Sequence, residues 1–90
     1  MGKAPLQGYL KPPDPLPGFP RAVMVRPKTV VAGNKLRRRW LDQDTGRLLE
    51  WDYQHGRLEV YDGRGRHIGE FDAQTGEQTK PRDMTRSIEP

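Results

Sequence analysis

From residue 36 onward, short runs of alternating apolar and polar residues are separated by glycine-bearing turns. Strands are predicted over 36–41, 47–53, 57–61, 66–71 and, more weakly, 77–80. Asp44-Thr45-Gly46, His55-Gly56, Asp62-Gly63-Arg64-Gly65 and Asp72-Ala73-Gln74-Thr75-Gly76 divide them. Close spacing and turn chemistry predict an all-β fold, a small antiparallel meander with no helix of useful length. Asp-x-x-Thr-Gly occurs twice, at 42–46 and 72–76, and reads as two similar hairpin turns.

The segment before it has another character. Residues 1–27 hold seven of the nine prolines, so 1–34 reads as an irregular, Pro-rich, partly extended arm and 35–90 as the folded domain. Within the arm, 22–25 and 29–32 are β-prone pieces, either edge strands or partner-binding segments, and Gly33-Asn34 is a turn signal. Leu16, Phe19 and 23–25 are candidates to dock on the sheet or on a partner.

Residues 50–61 form the most informative run. With the turn centred on His55-Gly56, Asp52 is expected opposite Glu59, Trp51 opposite Val60 and Glu50 opposite Tyr61. One face is then apolar, with Trp51, Tyr53, Leu58 and Val60. The other is polar, with Glu50, Asp52, Arg57, Glu59 and Tyr61. Two facing carboxylates raise one pKa and make a better base near neutral pH, and His55 can supply a proton. The same residues also read as an exposed hairpin whose acids are neutralised by Arg57, Arg47 or Lys80.

Composition narrows the options. Ninety residues with mean hydropathy −0.98 allow one small domain with a thin core. There is no cysteine, so disulfides and thiolate zinc sites are excluded. His55 and His67 lack zincin or EF-hand spacing, so neither a metal nor a cofactor is expected. No apolar run is long enough to span a membrane, and neither a signal peptide before the domain nor stable membrane insertion is expected.

Charge is asymmetric. Residues 1–40 carry nine Lys or Arg against one acid, and residues 41–90 carry seven against eleven. The basic part is either a solubilising tail or a polyanion contact. Arg37, Arg38, Arg39, Arg47, Arg64, Arg66 and Lys80 are candidate phosphate ligands, and Trp40 is either a base-stacking or a sheet-face residue. A base, an acid and phosphate-binding arginines suffice for RNA cleavage through the ribose 2′-hydroxyl. Tyr61 and Arg57 are possible further members. His67 is either a second active-site group or a strand residue packed beside Tyr61.

The ordered motifs Arg37-Arg38-Arg39-Trp40, Gly46-Arg47, Glu50-Trp51-Asp52-x-Gln54-His55-Gly56-x-Leu58-Glu59-x-Tyr61, Asp62-Gly63, His67-x-Gly69-x-Phe71-Asp72, Thr75-Gly76 and Arg86-x-Ile88 resemble the C-terminal cytotoxic domain of the ribosome-inactivating E-type colicins and cloacin. Related domains occur in S-type pyocins and contact-dependent inhibition toxins. The resemblance covers about 35–88. It implies a strongly twisted antiparallel sheet with catalytic Asp52, His55, Glu59 and Arg86. It also implies one cut in 16S ribosomal RNA at the decoding A site of the ribosome, which stops translation in the cytoplasm of a target bacterium. An acidic immunity protein and a larger parent toxin with receptor-binding and translocation domains are implied as well. Where such relatives carry an acid after the His-Gly turn, this chain has Arg57.

Overall fold

The computed structural model describes residues 10–90, so the first nine residues of the expected arm lie outside the described residues. Six antiparallel strands form the main sheet in the order β1 (Ala22–Val25), β4 (Arg39–Asp42), β5 (Leu48–Asp52), β6 (Arg57–Tyr61), β7 (His67–Phe71), β8 (Gln78–Lys80). From β4 onward each strand pairs with the next in sequence, as expected of a meander. A separate hairpin pairs β2 (Val30–Val31) with β3 (Lys35–Leu36) around a short 3-10 turn at Ala32–Asn34. The Gly33-Asn34 signal falls there: both residues have left-handed backbones, φ 78° and 61°. The run expected as one strand over 36–41 is two pieces, because the chain leaves the small hairpin at Leu36 and enters the main sheet at Arg39.

Residues of the Pro-rich stretch contribute to the sheet and its core. β1 pairs along β4, and Leu16 is buried among Trp40, Leu49, Trp51, Leu58, Val60, Phe71 and Ala73. Phe19 packs edge-on to Phe71, with ring centroids 6.2 Å apart. The backbone amide of Gly18 donates to the Ala73 carbonyl (2.8 Å), holding the stretch on the β7–β8 turn. One sheet face is thus the apolar core.

Three hairpin turns share one construction, an Asp followed four residues later by a glycine at positive φ. In the turns starting at Asp42, Asp52 and Asp72, the glycine amide donates to the Asp carbonyl at 2.8–2.9 Å. The glycines have φ of 74°, 67° and 79°, a conformation that favours glycine. The Asp carboxylate accepts amides inside the turn: Asp44 in the first, Gln54 and His55 in the second, Gln74 and Thr75 in the third.

This construction corrects the expected register. The β5–β6 loop is four residues long, so Asp52 pairs with Arg57, Glu50 with Glu59 and Trp51 with Leu58. Asp52 does not face Glu59. The slip is by two residues along one strand, so every side chain keeps its expected face. The irregular pairing anticipated near His67 falls between Val60 and Tyr61, where β6 and β7 shift register.

The polar face carries a row across five strands. Arg39 pairs with Glu50, Glu50 with Glu59, Glu59 with Glu70, and Glu70 with Lys80. All three glutamates are buried, which unpaired carboxylates would not tolerate. At one end, Arg39 donates from Nε (3.0 Å) and Nη2 (2.8 Å) to Glu50 Oε2, which also accepts from Thr29 Oγ1 (2.6 Å). At the other, Glu70 Oε2 accepts from Thr79 Oγ1 (2.6 Å). Residues 81–88 lie over the middle of the row and supply partners there.

Candidate active site

An open groove of about 540 Å³ lies over the polar face. Asp52 and His55 from the β5–β6 turn, Glu59 from β6, and His67 and Glu70 from β7 line one side. Lys80, Arg82, Asp83, Met84 and Arg86 form the other. The strands and the β5–β6 turn fix the first set; Lys80 ends β8, and the segment after it brings up the rest of the second.

His55 projects from the turn with its side chain 58% exposed, and its Nδ1 lies 2.7 Å from Asp52 Oδ2. The same place in the Asp42 turn is held by Thr45, whose Oγ1 donates to Asp42 Oδ2 at 2.9 Å. The imidazole therefore occupies a position that the turn uses structurally. Burial pushes the Asp52 carboxyl up, but the His55 ring and the amides of His55 and Gln54 outweigh it and hold the group below its ordinary value. Asp52 is therefore an anchor for His55 rather than a proton acceptor of raised basicity, contrary to the expectation from facing carboxylates.

Glu59 sits deeper. Its Oε1 meets His67 Nε2 at 2.8 Å and Arg86 Nη1 at 3.2 Å. Arg86 Nη2 also donates to the Tyr61 hydroxyl at 3.1 Å. Burial works against the Arg86 cation, yet Tyr61 and Glu59 beside it push its pKa up further. Burial raises the Tyr61 hydroxyl above its ordinary value, so it stays protonated and neutral. Arg86 reaches this place because its segment is tied down: Ile88 N donates to the Gly65 carbonyl (2.8 Å), His67 N to the Arg86 carbonyl (3.2 Å) and Asp83 N to His67 Nδ1 (2.9 Å).

The expected catalytic residues Asp52, His55, Glu59 and Arg86 all line this groove, as does Lys80. Arg66 lines an adjoining recess of about 270 Å³ with His67, Arg82 and Arg86. Arg37, Arg38, Arg47 and Arg64 line neither. Arg57 stands half-exposed, its Nε 3.9 Å from Glu70 Oε2. Arg39, expected at an RNA surface, is buried in the ion pair with Glu50, and Trp40, open to base stacking or a sheet-face place, takes the second, buried in the apolar core. Neither has a free face for phosphate or base. Glu70 and the Asp83 amide escaped the sequence reading. The pairing of Glu50, Glu59 and Glu70 across three strands was the available signal for the first, and nothing in the local sequence marks the second. Among the described residues, no three His, Asp or Glu side chains are grouped as metal ligands.

A groove with an exposed imidazole, a buried carboxylate and a guanidinium is suited to moving a proton off a hydroxyl, returning one to a leaving oxygen and neutralising an oxyanion between them. Comparison with known proteins gives the family. The family model described as Cytotoxic matches residues 10–89. Colicin E3 of Escherichia coli is 41% identical over 76 residues, covering 83% of this chain and 13% of the colicin. Cloacin and colicin-E6, both from Escherichia coli, are 43% and 42% identical over 65 residues, covering 70% of this chain and 12% of each relative. The chain thus spans about an eighth of the length of the relatives it matches.

Proposed function

Because the chain belongs to the Cytotoxic family, we propose that it is the toxic domain of a colicin-like bacteriocin and cleaves RNA by transesterification without a metal. The observation that carries this reading is the convergence of His55, Glu59 and Arg86 on one groove. Glu59 takes the proton of a ribose 2′-hydroxyl. The 2′-oxygen attacks the adjacent phosphorus, and the bond from phosphorus to the 5′-oxygen breaks. His55, anchored by the Asp52 carboxylate, gives a proton to that leaving oxygen. The products are a 2′,3′-cyclic phosphate and a 5′-hydroxyl. Arg86 stabilises the negative charge on the phosphoryl oxygens as the phosphorus becomes five-coordinate. Lys80 and Arg66 border the groove and its neighbouring recess, where phosphates on either side of the cut would run.

The proposed substrate is 16S ribosomal RNA in the ribosome, cut once at the decoding A site, so that translation stops in the cytoplasm of the target bacterium. The proposed partners are a small acidic immunity protein and a larger parent toxin that delivers the domain. Among the described residues no helix is long and apolar enough to cross a membrane.

The test is incubation of the protein with ribosomes in EDTA, with purified tRNA in parallel. A single short 3′ fragment of 16S rRNA is expected. Intact rRNA alongside a folded protein overturns the reading, and cleaved tRNA with intact rRNA moves the substrate to another RNA. Binding with a steep salt dependence and no cleavage leaves only an RNA-binding module.

A further inference from the structure

His67 takes no part in those steps, yet its side chain is only 3% exposed, against 39% for Arg86 and 58% for His55. Both of its ring nitrogens are engaged. Nδ1 accepts the backbone N–H of Asp83 at 2.9 Å, and Nε2 lies 2.8 Å from Glu59 Oε1. A backbone amide only donates, so Nδ1 must present its lone pair and the ring proton must sit on Nε2. A proton on Nδ1 would set one N–H against another and orphan the Asp83 amide. Tyr61 packs against the ring at 5.2 Å and 66°, an edge-to-face contact that opposes rotation.

The consequence falls on Glu59. Its neighbours in the strand row are Glu50 and Glu70. His67 and Arg86 both act on the same oxygen, Oε1. Among the described residues no hydrogen bond falls on Oε2. We propose that His67 is a positioning residue: locked as the Nε2–H tautomer by the Asp83 amide, it holds Glu59 by Oε1 and leaves Oε2 as the atom that takes the ribose proton. The second half of this inference rests on the ribonuclease reading, and the first half does not.

Two variants and one spectrum test it. A glutamine amide carries an acceptor and an N–H donor at nearly the separation of the two ring nitrogens, and it does not titrate. His67→Gln is expected to keep cleavage within about tenfold of the parent, while His67→Ala loses roughly 100-fold through misplacement of the base. A glutamine variant as slow as alanine would mean that the ring itself transfers a proton, and the proposal fails. An alanine variant as fast as the parent would show that Glu59 needs no hold from His67, with the same result. Independently of RNA, the imidazole nitrogen NMR signals of the intact protein should report the Nε2–H form at neutral pH. The Nδ1–H form, or a ring protonated on both nitrogens, overturns the proposal whether or not the protein cleaves RNA.

Discussion

Arg39 and Glu50 are paired neighbours on β4 and β5, both buried, and two guanidinium nitrogens converge on a single carboxylate oxygen at 2.8 and 3.0 Å. The second oxygen, Oε1, is buried without a partner. Such a pair gains little over an apolar one, but breaking it strands a charge. Arg39→Ala should therefore destabilise the fold by about 3–5 kcal/mol, with the double change of both residues to methionine costing far less. Urea unfolding measures both. A loss below about 1 kcal/mol for Arg39→Ala, the range of exposed pairs, would contradict this burial.

The shared turn construction separates stability from chemistry at His55. Thr45 does for Asp42 what His55 does for Asp52. His55→Thr should change unfolding free energy by less than about 1 kcal/mol. It should lower cleavage by roughly 10²–10⁴-fold, the usual contribution of a proton-transfer group. Retained cleavage would remove His55 from the mechanism, and unfolding of the variant would refute the equivalence of the turns.

Acid stability follows from Asp52. Its folded carboxyl titrates below the ordinary value of 3.8, so the folded state binds this proton less readily than the unfolded chain. The stability it contributes is complete above that ordinary value and is lost as pH falls through the lowered one. Asp52→Asn should be less stable than the parent at neutral pH, with the gap closing below about pH 4. Urea midpoints across that range check the sign, and a gap that widens in acid would refute it.

The tail over the groove is seated at Gly65. That residue has φ 89°, and a Cβ there would run into the Ile88 carbonyl oxygen. Gly65→Ala should displace residues 86–88 while leaving the core intact. Cleavage should fall roughly 100-fold by loosening Arg86, and hydrogen exchange at the Ile88 amide should speed up. Unchanged exchange and unchanged cleavage together would show that the tail tolerates the shift.

Face assignment was legible in the sequence because alternation depends only on strand parity. Register was not, because it depends on loop length. The clue was nonetheless present: Asp52-x-x-His55-Gly56 has the spacing of Asp42-x-x-Thr45-Gly46 and Asp72-x-x-Thr75-Gly76, with histidine standing for threonine. Treating all three as one turn would have opposed Asp52 to Arg57. Arg39 misled for another reason. A run of three arginines looks solvated, and nothing local reveals that alternation drives one of them beneath the surface toward a glutamate on the next strand. Arg86 sits in a segment without periodicity, and only the family resemblance singled it out. Its placement depends on contacts to Gly65, Tyr61 and His67, all distant in sequence from it.

The groove draws one wall from the meander and most of the other from residues that come after it. A chain whose sheet has formed but whose residues 81–88 have not yet docked holds His55 and Glu59 in place, yet lacks both the Arg86 guanidinium and the amide that orients His67. Formation of the sheet and completion of the groove are thus separable: the second is made only when residues 81–88 dock.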